Sequence, residues 1–413
     1  MLRLSRPDRY RSSSKSRNGS GEQLWHLSTE PFHTFSTVPK EWMRRKFQSR
    51  KKLRMNIMPQ KYSFVPVLAA LVFLIVCAAA VFAQTESTPP PFPPPGKLID
   101  IGGWRLHLNC VGQARPSQPT IILESGIGDF SVEWALVQPG VARFARVCSY
   151  DRAGDGWSDL GPHPRTMRQI VYELHTLLNK GGVKPPFILV GHSYGGVLVR
   201  LYASTYPADV LGMVLVEAGD DNPRRILPDG KLGRSSDMVK GEPIPAVKVS
   251  GPLRLSDIPP VALRQMKAAA QQAAQTANEP PRNKLPLDAQ HMRSWALARV
   301  EHIAAAVNPF EHEELAVLRA DRAKTQYPLG DMPLIVLTRG LSEDEGPDGK
   351  AFAEEHRKDH EAIAAMSRKG KLVVAANSGH HVQIDEPELV IKAVLDVMNG
   401  LMKSSGGQAR IPH

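Results

Sequence analysis

Short apolar runs alternate with amphipathic stretches along most of residues 97–403, and the period of each run identifies the element it predicts. Lys97–Asp100 and residues 104–111, separated by Gly102-Gly103, read as a β-hairpin. Thr120–Glu124 and residues 146–150, 187–190, 213–216, 334–337 and 372–375 read as short strands, with a helical pattern over 132–145 between the first two. Ile170, Val171, Leu174, Leu177 and Leu178 fall on one helical face that ends at Gly181-Gly182. Leu389, Val390, Ala393, Val394, Val397 and Leu401 form a closing helix. This alternation predicts an α/β fold: a mostly parallel central sheet of about eight strands with helices on both faces.

Between Asp220 and Asp331 the alternation fails. Helical patterns at 266–277 and 294–306 are broken by Pro259-Pro260 and Pro280-Pro281. A stretch of this length is no plain connection. It reads as a helical cap at about 220–330 over the carboxyl ends of the strands, where open α/β sheets bind ligands.

The chain's 413 residues are 42% apolar, which excludes a disordered protein, and carry a formal charge of +11. Residues 1–61 hold 15 Lys and Arg against 4 Asp and Glu, which leaves 37 of each sign in the remainder. The globular part is therefore neutral, and no nucleic-acid partner is expected. Residues 1–57 read as a basic, unfolded arm, whose first 54 residues fit an over-early start codon. Residues 58–83 contain the apolar run 64–83 and end in Val81-Phe82-Ala83, which reads as a signal-peptide cleavage site. The alternative is a membrane anchor of about 20 residues, the only membrane contact expected. Either places the domain outside the cytoplasm, periplasmic, secreted or anchored. Prolines at 89–91 and 93–95 make 84–96 an extended linker, and 404–413 reads as a flexible tail. Oligomeric state is not readable. Outside the apolar run, Cys110 and Cys148 remain; in an exported domain they can pair or stay as buried thiols.

Candidate chemistry centres on Gly191-His192-Ser193-Tyr194-Gly195, a G-x-S-x-G pattern between the apolar strand 187–190 and a helical run from Val197. A serine on such a strand-to-helix turn is a nucleophile elbow, and its glycines leave room where a Cβ would collide with neighbouring backbone. A serine hydroxyl needs a base, and the base needs an acid to fix its tautomer. His380, after Ser378-Gly379 beyond the last strand, is the candidate base; the side chain of adjacent His381 is expected to point elsewhere. His291, His302 and His312 are too scattered for a metal site, so no metal or organic cofactor is expected.

These residues resemble the α/β-hydrolase superfamily, in the branch with a cap between strands six and seven. The likeness covers roughly Lys97 to Lys403. It rests on Gly191 to Gly195, on Tyr150-Asp151-Arg152-Ala153-Gly154-Asp155-Gly156-Trp157-Ser158-Asp159, which resembles the loop after strand four, and on Ser378-Gly379-His380 with Pro387, which resembles the histidine loop. The resemblance implies an oxyanion hole of the Tyr194 amide and an amide from the loop after strand three, taken as Ile127. Ser125-Gly126 stands where many relatives carry His-Gly. The acid is expected at Glu217, where some capped haloalkane dehalogenases place a glutamate, with Glu343 after strand seven as the alternative. Haloalkane dehalogenases and epoxide hydrolases of this fold use an aspartate nucleophile, so Ser193 excludes their mechanism. Cys110 on the second strand and Cys148 on the fourth become neighbours, close enough to bridge. The implied activity is that of a serine esterase (class EC 3.1.1) acting on a small ester-like substrate. The alternatives are amide, lactone or C–C hydrolysis by the same triad, or a non-catalytic ligand-binding receptor.

Overall fold

A computed structural model describes residues 91–116, 118–342 and 349–404, without the side chains of 402–404. In chain order the first half contains β1 (Lys97–Asp100), β2 (Arg105–Val111), β3 (Thr120–Glu124), α1 (Gln138–Ala142), β4 (Val147–Tyr150), α2 (Met167–Lys180), β5 (Phe187–His192), α3 (Tyr194–Thr205) and β6 (Val210–Val216). A two-stranded ribbon, β7 (Arg224–Ile226) and β8 (Leu232–Arg234), follows. The cap helices are α4 (Pro260–Gln275), α5 (Leu287–Leu297), α6 (Val300–Ala305) and α7 (Glu311–Arg322). The chain then returns to the sheet with β9 (Leu334–Arg339), α8 (Gly349–Ala364), β10 (Gly370–Ala375), α9 (Val382–Asp385) and α10 (Pro387–Ser404).

Among the described residues eight strands form one sheet in the order β1-β2-β4-β3-β5-β6-β9-β10. The ladders from β4 to β10 are parallel; β2 runs antiparallel to both β1 and β4. This is the mostly parallel α/β architecture expected. The central strands read as unbroken apolar runs because both of their faces are covered. Leu189, Met213, Leu215 and Val336 pack with Leu174 and Leu177 of α2 and Leu198 of α3. Their neighbours Ile188, Val190, Val214 and Leu337 face Val141 of α1 and Val390 and Val394 of α10. At the amino end of the sheet, Cys110 of β2 stands opposite Cys148 of β4, and the two are joined in a disulfide.

Two predicted helices differ. The pattern over 132–145 is split into a 3-10 turn at Ser131–Trp134 and the short α1, because Pro139 lacks an N–H and starts a helix rather than continuing one. The pattern over 294–306 breaks at Arg299, which is extended and places its guanidinium on the carbonyl of Gly156. The cap is fastened to the sheet by buried charge. Arg293 of α5 bonds Asp129, at 3.0 Å, and Glu133, while Glu314 of α7 accepts from the amides of Met167 and Arg168 at 2.7 and 3.0 Å. The end of the proline-rich linker joins this contact: the Phe92 carbonyl accepts from Trp157 Nε1 at 2.8 Å, and its ring meets Trp295 of α5 edge-on.

One expectation is corrected. No helix among the described residues is long and apolar enough to cross a membrane. The longest, α10, is interrupted by Glu388, Lys392 and Asp396 and lays its apolar face on the sheet, whereas a span needs about 20 predominantly apolar residues. Membrane contact, anchoring and the localisation tied to them are not retained. The stretch 58–83 on which they rest lies outside the described residues, as do the arm 1–57, the linker up to residue 90 and the tail from 405.

Candidate active site

Ser193 sits between β5 and α3 with φ 51° and ψ −120°. That is a left-handed conformation costly for a residue with a Cβ, and it persists only where surrounding structure imposes it. Here it is imposed by backbone. The Ser193 amide donates to Val216 O at 3.1 Å, and its carbonyl accepts from Gly196 and Gly219 at 2.9 and 2.8 Å. The flanking glycines are required by approach: a Cβ on Gly191 would lie 2.6 Å from the Gly195 carbonyl oxygen, and one on Gly195 would collide with the Glu124 carbonyl. Ser193 is partly exposed, and its hydroxyl makes no hydrogen bond among the described residues.

Glu217 follows β6, the neighbouring strand, and is likewise left-handed, at φ 45°. Its carboxylate is buried and receives several donors. Arg339 N bonds Oε1 at 2.7 Å, His356 Nε2 lies 3.0 and 3.2 Å from the two oxygens, and His380 Nδ1 lies 3.3 Å from Oε2. Burial alone would raise its pKa. The hydrogen bonds from His356 and His380, with the charges of His360 and His356, outweigh burial and hold Glu217 well below the usual carboxylate range. The alternative acid, Glu343, lies outside the described residues.

His380 stands on the loop after β10, and the residues that open the closing helix clamp that loop. Asp385 Oδ2 accepts from Ser378 Oγ and Gly379 N, each at 3.3 Å, and Glu386 Oε1 accepts from Asn377 N at 2.8 Å. Below it lies His192, the first free position of the elbow pattern, with Nε2 3.0 Å from the His380 carbonyl. That carbonyl can only accept, so Nε2 carries the proton and Nδ1 is left to accept from Gln383 Nε2 at 3.3 Å. Burial, then the charge of His380, lowers His192 to a pKa of about 3. The His381 ring packs against those of His192 and His380, with centroids 5.3 Å from each; burial, then His192 and Arg282, lower its pKa to about 2.

Ile127 and Tyr194 line one small pocket together with Ala305, Asn308 and Glu311 of the cap. The Tyr194 amide opens α3 and is one of the donors a helix leaves without an internal partner. The loop that carries Ile127 is held by Arg152, whose buried guanidinium bonds Glu124 Oε1 and Ser125 O at 2.7 Å each, Asp129 O at 3.1 Å and Gly126 O. Next to it, Asp151 bonds His107 Nδ1, Ser131 N and Trp157 N at 2.9, 2.9 and 3.0 Å. The 150–159 stretch thus acts as the scaffold of the 124–129 loop. Of the cap histidines, His302 Nδ1 lies 3.0 Å from Asp155, and His312 Nδ1 lies 2.8 Å from Ser235 Oγ.

Three contributors are not singled out by the sequence patterns: His192, His356 and His360. The last two lie on α8, an element that the apolar runs do not reveal. Their spacing of four residues, continued by Ile363, is the signal that points to it.

A capped parallel sheet with a serine elbow at the carboxyl end of a central strand defines a hydrolase-type α/β protein. The family model described as the alpha/beta hydrolase family matches residues 121–393, and the chain belongs to that family. It is 27% identical over 303 residues to the uncharacterized protein YqjL of Bacillus subtilis strain 168, covering 73% of this chain and 91% of that one. It is 26% identical over 302 residues to a protein of Gibberella zeae described as an AB hydrolase superfamily protein, covering 70% and 90%. Among solved structures, the enol-lactonase of Burkholderia xenovorans LB400 superposes with a TM-score of 0.48 at 17% identity, covering 72% of this chain and 97% of that one.

Proposed function

We propose that this hydrolase is a serine esterase that works through an acyl-enzyme, with Ser193 as nucleophile, His380 as base and Glu217 as acid. The observation that carries the reading is the pair His380 Nδ1 to Glu217 Oε2, 3.3 Å apart on a buried carboxylate one strand from the serine elbow. A proton on Nδ1 directed at Glu217 leaves Nε2 unprotonated, the state a general base requires. Ser193 Oγ attacks the acyl carbon while its proton passes to His380 Nε2. The oxyanion is held by the Tyr194 and Ile127 amides, each such donor contributing about 3 kcal/mol to the transition state. The same proton then goes to the leaving alkoxide, and water attacks the acyl-enzyme by the reverse relay. Esters are favoured over amides because an alkoxide leaves more readily than an amide nitrogen.

The test is labelling of the purified chain with a fluorophosphonate, which reports an activated serine whatever the natural substrate is. An adduct mapped to Ser193, lost in His380→Ala and slowed in Glu217→Gln, supports the reading. A folded chain that reacts with neither the probe nor a panel of short activated esters overturns it in favour of a ligand-binding role.

A further inference from the structure

Glu217 faces two histidines besides His380, and a hydrogen-bond cluster does not account for all three groups. His356 and His360 lie four residues apart on α8, so both rings fall on the helix face turned to Glu217, with centroids 4.3 Å apart. His360 is buried, and its Nε2 lies 3.0 Å from the carbonyl of Ala218. That contact fixes the proton on Nε2 and leaves Nδ1 bare. Nδ1 is buried, has no hydrogen-bond partner and points at Glu217 Oε1 from 3.7 Å. A bare, buried imidazole nitrogen facing a carboxylate oxygen is an unfavourable pairing of two acceptors.

We propose that Glu217, His356 and His360 form a site for a divalent transition metal, with zinc the best-fitting ion. The three ligand atoms lie within 4.8 Å of one another. A tetrahedral zinc with bonds of about 2.0–2.1 Å spaces its ligand atoms by roughly 3.4 Å. The observed separations from Glu217 Oε1, 3.0 Å to His356 Nε2 and 3.7 Å to His360 Nδ1, bracket that value. Two imidazoles and one carboxylate select zinc and its neighbours over magnesium or calcium, which prefer all-oxygen sites. The Ala218 carbonyl supplies the outer hydrogen bond that orients a ligating histidine. The His356 side chain is 29% exposed, which gives an ion a route from solvent.

The site's consequence rests on the proposed triad, because its carboxylate is the triad acid. Metal on Glu217 Oε1 neutralises the charge that orients His380, so binding inhibits the hydrolase reversibly.

The experiment has two independent readouts on the full chain, stripped with a chelator that is then removed. First, zinc is titrated against a chromophoric chelator; one ion per chain is expected, with affinity at least 30-fold weaker in His360→Ala and unchanged in the cap variant His291→Ala. Second, fluorophosphonate labelling of Ser193 is compared with and without zinc for each variant, against that variant's own metal-free rate. A slowing of at least 10-fold in the wild type, relieved by chelator and absent in His360→Ala, is expected. His360→Gln and a circular dichroism spectrum guard against misfolding. Failure of the metal-free chain to label at all strikes the esterase reading and leaves the titration to judge the site. Less than one ion per chain, or binding that survives loss of both histidines, overturns the site. Stoichiometric binding without slowed labelling overturns the inhibition.

Discussion

The imidazole of His192 donates from Nε2 to the main-chain carbonyl of His380, 3.0 Å away, so a residue beside Ser193 holds the loop that carries His380. The contact joins the elbow to the far end of the chain, across 188 residues.

Replacing His192 by Phe removes this donor and leaves the elbow backbone in place. The expected effect is a fall in kcat of about 10- to 100-fold on an activated ester, with little change in KM, because small displacements of a catalytic group cost that much. His192→Gln keeps an N–H in reach and is expected to recover part of the loss. Equal rates for the Phe variant and the wild type would remove His192 from a positioning role.

The same residue makes stability depend on pH. His192 is held neutral in the fold, with its pKa lowered to about 3 by burial and the neighbouring charge of His380, against about 6.5 in the unfolded chain. Asp129, which faces it, and Glu217 offset only part of this. Below pH 6.5 the unfolded state binds the proton and the folded state does not. The contribution is therefore complete above 6.5 and is lost as pH falls toward 3, on the order of 5 kcal/mol in all. Urea midpoints of the wild type and His192→Gln at pH 7.5 and 4.5 check this: the wild type is expected to lose more between the two.

Arg152 anchors the loop that carries Ile127. Arg152→Met leaves the buried Glu124 without its guanidinium and releases the carbonyls of Ser125, Gly126 and Asp129. About 3–5 kcal/mol of stability is expected to go, as for other broken buried pairs. The surviving folded protein is expected to have kcat reduced about 100-fold through the misplaced oxyanion donor. An unfolding curve and steady-state kinetics on one preparation separate the two effects.

The disulfide lies away from this machinery. It closes a separation of 38 residues, and breaking it by Cys110→Ser with Cys148→Ser is expected to cost about 3–4 kcal/mol while leaving the Ser193 labelling rate of the folded protein within twofold.

What is legible in the sequence follows from where its signals are strong. Strands buried on both faces show as unbroken apolar runs, and the elbow and histidine loop carry glycines and charged residues at positions that backbone packing demands. Glu217 stands out as a lone carboxylate ending such a run. The 132–145 pattern misleads because Pro139 sits within an otherwise helical period. Helix α8 is hidden because Lys350, Glu354, Glu355, Arg357 and Lys358 dominate it, and two of its inward-facing positions are histidines, His356 and His360, which hydropathy does not count. His356 and His360 are hidden as partners of Glu217 for the same reason: they come from a helix whose inner face is in part polar.

The backbones of Ser193 and Glu217, both left-handed and at the ends of adjoining strands, are laced together through Val216 and Gly219. Ser193 and Glu217, the nucleophile and acid of the proposed mechanism, are therefore tied through one main-chain hydrogen-bond network. His380, the proposed base, arrives on a separate loop after the last strand, so its place over that network is set by what holds the loop: Asp385, Glu386 and His192.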